Sequence, residues 1–359
     1  TPTPVPPTAT PTPTPVPPTG GYVDDTHASL AAASSVLTVA QNYGYNRYTY
    51  TAAADGKSLA LDMRNAVFTL ANSKNSYPTE SNDCNSGSLQ TNHYPLIIEN
   101  ADQTALVGLL MNGIVPQDSD WRPSYCNSAG LNIRNAKDTV VDGIRMTAHW
   151  DGVREAEGSE NLVIKNSWFS GGRDEVVEND FRNNLTVRDV LSDGTYNFIS
   201  VRPSSSNIDT VPDGSNKVLL VSGVVVRFRS ALQEGTFGFG APFKSTDTGA
   251  PKSKIYNSIF AVEPGGGVVM SSSNWPRGWK DLIDCKNNLF LWMSDRALPS
   301  GLGTIPACFT IIKGQAAYDT YNRARMNWIN CHPKVPRAAG EPTGDPSQCR
   351  AGDFGGFGD

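Results

Sequence analysis

Three segments decide the fold of this chain: TVVDGIRM at residues 139–146, LVIKNSWF at 162–169 and LTVRDVLS at 185–192. Val140, Val163 and Thr186 hold the same place in these segments and follow one another at a regular step of about 23 residues. A second set of strand-like segments keeps this regular step: DGVRE (151–155), DEVVE (174–178) and NFISV (197–201). Two patches that repeat together at one period indicate stacked structural repeats.

Looser copies of the pattern extend it along the chain: LIIENADQTALVG (96–108), VLLVSGVVV (218–226), IYNSIFAVE (255–263) and CKNNLFLWM (285–293). A period in the twenties with short β-like segments is typical of a solenoid, in which each coil buries its apolar face against its neighbours. Val153 and Glu155 alternate with Arg154, a period of two that excludes a helical solenoid. The frame of leucine-rich repeats is also absent.

The pattern resembles the right-handed parallel β-helix of the pectate-lyase-like superfamily, over roughly residues 95–312. The resemblance rests on the period and the strand texture, and no catalytic motif of a particular family matches. It implies an all-β chain folded as a single-stranded right-handed parallel β-helix, with coils of ~23 residues and short capping helices.

The remaining segments are expected to flank this solenoid. Residues 1–21 are rich in Pro and Thr and predict an extended polyproline II arm or linker. Residues 22–94 are expected to cover the N-terminal end, with a short helix within 25–43 and either a strand pair or a helix at 58–73. Residues 313–359 are expected to hold a C-terminal capping helix, at 315–330, and an irregular tail.

Composition places the protein outside the cell and away from nucleic acid. The net charge of −5 and the pI near 5.5 argue against nucleic acid as a partner, and no apolar run is long enough to span a membrane. Six cysteines without a C-x-x-C pair favour three disulfides in a secreted or surface protein, and proximity favours the pairs Cys84–Cys126, Cys285–Cys308 and Cys331–Cys349. Thr beside Pro is also typical of O-glycosylated stalks, with candidate sites at Thr1, Thr3, Thr8, Thr10, Thr12, Thr14 and Thr19.

If one regular step is one coil, residues that are one step apart in the sequence stack on one another. The columns would be Asp151, Asp174 and Asn197; Glu155 and Glu178; Arg154, Val177 and Ser200; Ala156, Asn179 and Arg202; and Trp150, Arg173 and Tyr196. Neighbouring carboxylates repel one another, so a cation, an arginine or protonation must compensate for them.

The resemblance implies one functional interpretation of this cluster, because some β-helix lyases bind Ca²⁺ through acids on adjacent coils and use an arginine as the base. The candidate Ca²⁺ ligands are Asp174, Glu175, Glu178, Asp180 and Glu155. The candidate catalytic residues are Glu178, Arg202, Tyr196 and His149, and Arg154, Arg173 and Trp150 would bind an acidic sugar. A glycoside hydrolase that uses two of the carboxylates is the related possibility.

The competing interpretation is a structural ladder in which the arginines pair with the acids. It leads to the first functional hypothesis, an extracellular structural β-helix protein whose copies assemble into a fibre or surface layer through the Pro/Thr arm. The alternatives are a secreted enzyme that acts on an acidic polysaccharide, and a glycan-binding or adhesin module.

Overall fold

The computed structural model describes residues 24–44, 46–52, 59–70, 94–118, 120, 129–203, 210–246, 248–270 and 274–350. These residues are mostly β, and most of their strands lie in three long parallel sheets, called A, B and C here. The strands are numbered in chain order. Over most of the chain, successive strands enter the three sheets in turn, so that each strand pairs with the one three places further along.

Sheet A contains β1 (Ser35–Thr38), β4 (Leu59–Asp62), β7 (Thr104–Val107), β10 (Val140–Asp142), β13 (Leu162–Lys165), β16 (Leu185–Arg188), β19 (Val218–Ser222), β24 (Lys252–Tyr256) and β27 (Leu282–Lys286). Sheet B contains β2 (Asn42–Gly44), β5 (Val67–Leu70), β8 (Leu110–Gly113), β11 (Arg145–Thr147), β14 (Trp168–Gly172), β17 (Leu191–Thr195), β20 (Val225–Arg229), β25 (Ile259–Glu263), β28 (Asn288–Trp292) and β29 (Phe309–Lys313).

Sheet C contains β3 (Tyr48–Thr51), β6 (Leu96–Glu99), β9 (Ala129–Arg134), β12 (Asp151–Glu155), β15 (Val177–Glu178), β18 (Ile199–Ser200) and β23 (Phe243–Lys244). A small sheet D joins β21 (Ala231–Gln233), β22 (Thr236–Phe239) and β26 (Val268–Val269). The helices are α1 (Ala28–Ala32), α2 (Asn274–Lys280) and α3 (Gln315–Cys331), with 3₁₀ turns at Ser300–Leu302 and Pro346–Gln348.

The regular step of about 23 residues holds in the central strands of sheet A. Val140 of β10 pairs with Val163 of β13, which pairs with Thr186 of β16. Elsewhere the step is longer, since Ala105 pairs with Val140 and Thr186 pairs with Leu220. Insertions between strands therefore lengthen the coils on both sides of the regular central part.

Apolar side chains form continuous columns on the inner face of each sheet. In sheet A the column is fully buried and reads Leu61, Leu106, Val141, Ile164, Val187, Val221 and Ile255. In sheet B it includes Phe68, Met111, Met146, Phe169, Val226, Phe260 and Phe290, with Ser192 in the middle. Strands that are buried in this way need the apolar residues that the sequence supplies.

The turn from sheet A to sheet B has the same conformation in seven successive coils. Its residue has φ between +50° and +76° each time, and the residues are Gly108, Gly143, Asn166, Asp189, Gly223, Asn257 and Asn287. Gly, Asn and Asp are the residues that adopt this left-handed conformation most readily. A Gly, Asn or Asp at this turn is therefore a sequence signal for each repeat. It also occurs where the repeats are longer than the regular step.

The region before the predicted solenoid differs in part from the sequence prediction. The parallel sheets already begin at Ser35, inside the segment expected to be an N-terminal cap, and only Ala28–Ala32 is helical there among the described residues. The segment 58–73 contains the strand pair β4 and β5, one of the two expected alternatives.

Helix α3 begins and ends close to the predicted positions, and it contacts β28 and β29, the last strands of sheet B. It lies across the outer face of sheet B, where its residues Ala317, Tyr321, Ala324 and Trp328 pack on Trp168, Leu191, Ile259 and Leu291. The reason is that this outer face carries an apolar column of its own, which must be shielded from water. Disulfides join Cys285 to Cys308 and Cys331 to Cys349, which are two of the three pairs expected from proximity.

Candidate functional site

The turn that leads into sheet C holds a buried cluster of carboxylates. Asp151 begins β12, and Asp174 and Glu175 precede β15. Carboxylate oxygens of these three residues lie within 4.8 Å of one another, and each residue is at most 5% exposed. Asn197, which precedes β18, donates from Nδ2 to Asp174 Oδ1 at 3.1 Å, so the predicted column of Asp151, Asp174 and Asn197 is brought together.

Lys244 in β23 supplies the positive charge of this cluster. Its Nζ lies 2.5 Å from Glu175 Oε1 and 3.6 Å from Asp174 Oδ2. Burial acts to lower the pKa of Lys244, but the two carboxylates outweigh it and raise this pKa well above its usual value. The ammonium thus pairs with two acids of the cluster, in the way that the ladder interpretation expected of an arginine.

Two acids of the cluster, Asp151 and Glu175, have raised pKa values and so hold their protons more tightly than isolated carboxyl groups. Burial, followed by repulsion from Glu178 and Asp174, raises the pKa of Asp151. Burial and the charge of Asp174 likewise raise the pKa of Glu175. Both shifts follow from placing several carboxyl groups with one described cation in a site that excludes water.

The columns predicted within sheet C itself are wrong by one residue. Val153 pairs with Val177 and Arg154 with Glu178, a step of 24, and Glu178 then pairs with Ser200, a step of 22. The outward column is therefore Asn132, Arg154, Glu178, Ser200 and Lys244. Glu155 and Glu178 do not stack, nor does Arg154 stack on Val177, because one extra residue in the turn before β15 shifts the register.

Arg154 and Glu178 face one another on the outer surface of sheet C. Arg154 Nε lies 3.6 Å from Glu178 Oε2, and Arg154 Nη1 donates to the hydroxyl of Tyr94 at 2.5 Å. Beside them is an open groove of about 460 Å³, lined by Tyr94, Glu99, Asn132, Arg134, Asn135, Arg154, Ala156, Glu157 and Phe181. The groove combines charges of both signs with aromatic rings.

Asp180 and Arg202 lie apart from that groove. Asp180 Oδ1 accepts a hydrogen bond of 2.6 Å from Ser200 Oγ. Burial and then the charge of Glu178 raise the pKa of Asp180 to about 7. Arg202 is exposed and lines a smaller cavity of about 170 Å³ together with Asp174, Tyr196, Asn197, Gln233, Gly240, Lys244, Met270 and Asn274.

Tyr196, Arg173 and Trp150 form the column predicted for them at the turn before sheet C. The guanidinium of Arg173 lies 5.9 Å from the centre of the Trp150 ring and donates to the carbonyl of Leu232. Tyr196 donates its hydroxyl hydrogen to Gln233, and burial raises its pKa. Trp150 and Arg173 are buried, so they do not present a surface to a polysaccharide in this structure.

His149 and Glu155 also lie in the interior, although the sequence analysis placed them in the site. Both are 0% exposed. Burial lowers the pKa of His149 to about 3 and raises that of Glu155 to about 8, so both groups are neutral at pH 7. Glu155 continues an inner column from Ile98 and Ile133, as the alternation along β12 implies, since Val153 points inward and Arg154 outward.

Sequence analysis did not single out Lys244. It lies 44 positions beyond its pairing partner Ser200, so the long insertion between β18 and β23 removes it from the regular step. Other predicted sites lie outside the described residues: Cys84, Cys126 and the threonines of the Pro/Thr segment, Thr1, Thr3, Thr8, Thr10, Thr12, Thr14 and Thr19.

Comparison with protein-family models, with curated proteins and with solved structures gave no match. Among the described residues, no helix has the length and apolar character that crossing a membrane requires.

Proposed function

We propose that this chain is a parallel β-helix that serves as an extracellular structural protein, whose copies join end to end into a fibre or surface layer. The succession of strands through sheets A, B and C, each pairing in parallel with the next coil, supports the β-helix. The disulfides Cys285–Cys308 and Cys331–Cys349 are consistent with an oxidising compartment.

The observation that carries the proposal is that two inner apolar columns end, among the described residues, on exposed side chains. Leu37 of β1 is the first residue of the inner column of sheet A and is 41% exposed, whereas its neighbour Leu61 is fully buried. Ile311 of β29 is the last residue of the inner column of sheet B and is 42% exposed, whereas its neighbour Phe290 is fully buried. Each column therefore lacks, among the described residues, the neighbour that every interior member has.

The backbone edges at the two ends suit the same contact. β1, β2 and β3 are the first strands of their sheets, and β27 and β29 are the last strands of sheets A and B. Open strand edges are templates for pairing with another chain. Opposite ends of two copies would continue the parallel sheets, and a head-to-tail contact that does not close produces a filament.

The Pro/Thr segment of residues 1–21 is the second element of the proposal. Its composition favours an extended chain of about 3.1 Å per residue, which is long enough to reach a neighbouring copy. Glycans on its threonines would keep it extended and exposed.

Electron microscopy and light scattering of the purified protein test the assembly. We expect filaments or concentration-dependent oligomers that disappear in Leu37→Asp and in Ile311→Asp, because either change places a charge in the contact. Phe237→Asp is the control, since Phe237 is an equally exposed apolar residue on β22, away from both ends. Deletion of residues 1–20 tests the arm separately. A wild-type chain that stays monomeric at every concentration would refute the proposal.

The groove on the outer face of sheet C favours a second candidate function, the binding of an acidic glycan. Arg134 and Arg154 would pair with sugar carboxylates, and Tyr94 and Phe181 offer rings for stacking. If the site is catalytic, as in a polysaccharide lyase or hydrolase, Glu178 is its most accessible predicted carboxylate. Assays on uronic-acid polymers with and without Ca²⁺, with Glu178→Gln as the control, distinguish turnover from binding alone.

A further inference from the structure

The carboxylate of Glu175 lies between an amine and a carboxamide from two later segments of the chain. Its Oε1 is 2.5 Å from Lys244 Nζ and 3.5 Å from Asn197 Nδ2. Glu175 and Asn197 are each 2% exposed, so the contact excludes bulk water. A salt bridge accounts for the contact of Glu175 with Lys244, but it does not account for the contact of Glu175 with the Asn197 amide.

The carboxamide of Asn197 is held on both sides. Its Oδ1 accepts a hydrogen bond of 2.9 Å from the backbone amide of Ala241, and its Nδ2 donates to Asp174 Oδ1 at 3.1 Å. A backbone N–H directed at a carbonyl oxygen stabilises the negative charge that develops there when a nucleophile attacks the carbon. The carboxylates at the other side can deliver a proton to the nitrogen that leaves.

We propose that Lys244 and Asn197 form an intramolecular isopeptide bond, with Glu175 as the group that transfers the protons. The reaction needs no oxidant, reductant or cofactor, because an amine and a carboxamide exchange to give a new amide and ammonia. Holding both groups against the buried Glu175 carboxylate supplies the proximity that the uncatalysed reaction lacks.

The protons and electron pairs balance within the cluster. The ammonium of Lys244 gives one proton to the carboxylate of Glu175, and the neutral Nζ attacks Cγ of Asn197. The N–C bond forms while the C=O electron pair moves to Oδ1, where the Ala241 amide holds it. Glu175 then gives its proton to Nδ2 and takes the second proton from Nζ. The electron pair on Oδ1 re-forms the C=O bond, the Cγ–Nδ2 bond breaks, and ammonia leaves.

The surroundings of the cluster are compatible with this reaction. The cavity of about 170 Å³ that Asn197 and Lys244 both line offers ammonia a place to leave the site. The bond would join the turn before β18 to β23, its neighbour in sheet C, and would close the long insertion between them.

Peptide mapping of the folded wild-type protein by mass spectrometry tests the bond. A modified Lys244 resists trypsin, so we expect residues 189–217 and 230–252 in one linked product, lighter by one ammonia, about 17 Da, than the sum of the two peptides. Recovery of peptides 189–217 and 230–244 separately, at their unmodified masses, would overturn the proposal. A linked product that contains residues 174–182 and has lost water, about 18 Da, would also overturn it, because Lys244 would then be joined to Glu175.

Two variants and one internal control complete the test. Lys244→Arg keeps the positive charge but lacks the amine, and Glu175→Gln keeps the shape but cannot accept the proton. In both variants the linked product should fall from nearly all of the protein to an undetectable level, while circular dichroism shows that the chain is folded. Lys165 lies 2.9 Å from Asp25, which also accepts from the Asn166 amide, and it should remain unmodified because among the described residues no hydrogen-bond donor reaches Asn166 Oδ1.

Discussion

Buried carboxylates at two places in this molecule are compensated differently by the cations that contact them. At the turn before sheet C, Asp151, Asp174 and Glu175 share Lys244. Beneath helix α3, Asp193 alone pairs with two arginines: Arg227 Nη2 is 2.7 Å away and Arg325 Nε is 2.6 Å away. Three acids thus share one lysine at the turn before sheet C, whereas Asp193 contacts two arginines, one of which, Arg227, also pairs with Glu263.

The difference appears in the proton affinities. Burial acts to raise the pKa of Asp193, but Arg227 and then Arg325 outweigh it, and the pKa lies below its usual value. In the other group burial prevails, and the pKa of Glu175 rises. The charged form of Asp193 is favoured because two arginines contact it, whereas at Glu175 burial outweighs the contact with Lys244.

Glu155 is the extreme case of an acid whose burial outweighs every charge near it, and it predicts the largest effect. Its folded pKa of about 8 exceeds the unfolded value, so its contribution to stability is complete below about pH 4.3 and is lost as the pH rises to 8. The shift corresponds to at most about 5 kcal/mol. Urea unfolding between pH 4.5 and 8.5 should show stability falling with pH.

In Glu155→Gln this decline should become shallower, because the amide does not ionise, while Asp151, Glu175 and Asp180 still contribute their own raised pKa values. Glu157→Gln, an exposed acid in the following turn, should keep the wild-type slope. An unchanged slope in Glu155→Gln would mean that Glu155 is not buried as the structure shows.

Asp193 predicts a smaller loss of stability. Asp193→Asn leaves Arg227 and Arg325 close together without their shared carboxylate, which should lower the free energy of unfolding by about 3 kcal/mol at pH 7. Because the folded pKa is lowered, the wild-type contribution is present above about pH 4 and is lost as the pH falls through the folded pKa.

Chemical denaturation at pH 7 and pH 3 checks both the size and the direction. The matched control is Asp319→Asn, on the exposed side of helix α3. This change should alter the free energy of unfolding by less than about 0.5 kcal/mol. A loss in Asp193→Asn that grows toward pH 3 would contradict the assignment.

These groups also show how far the sequence determines the site. The regular step places β10, β13 and β16 correctly, because no insertion falls between those strands. It brings Asp151, Asp174 and Asn197 together, yet it misaligns Arg154 and Glu178. A single extra residue in a turn reverses which side chains stack, and composition and period carry no sign of it. Lys244 and the arginines beneath α3 come from segments beyond long insertions, so only the folded chain brings them to their acids.

Asp151 provides the smallest predicted effect and the sharpest contrast with Asp193. Its Oδ1 accepts a hydrogen bond of 3.0 Å from the amide of Glu175, which an asparagine oxygen can also accept. Asp151→Asn removes one of three mutually repelling carboxylates and keeps that hydrogen bond, so stability at pH 7 should change by less than about 1 kcal/mol and not necessarily downward. The same substitution, Asp to Asn at a buried site, thus costs about 3 kcal/mol beneath α3 and almost nothing before sheet C. The two variants are compared by urea unfolding under one set of conditions. Equal losses of stability would show that the cations in contact with each carboxylate do not determine the cost of its substitution.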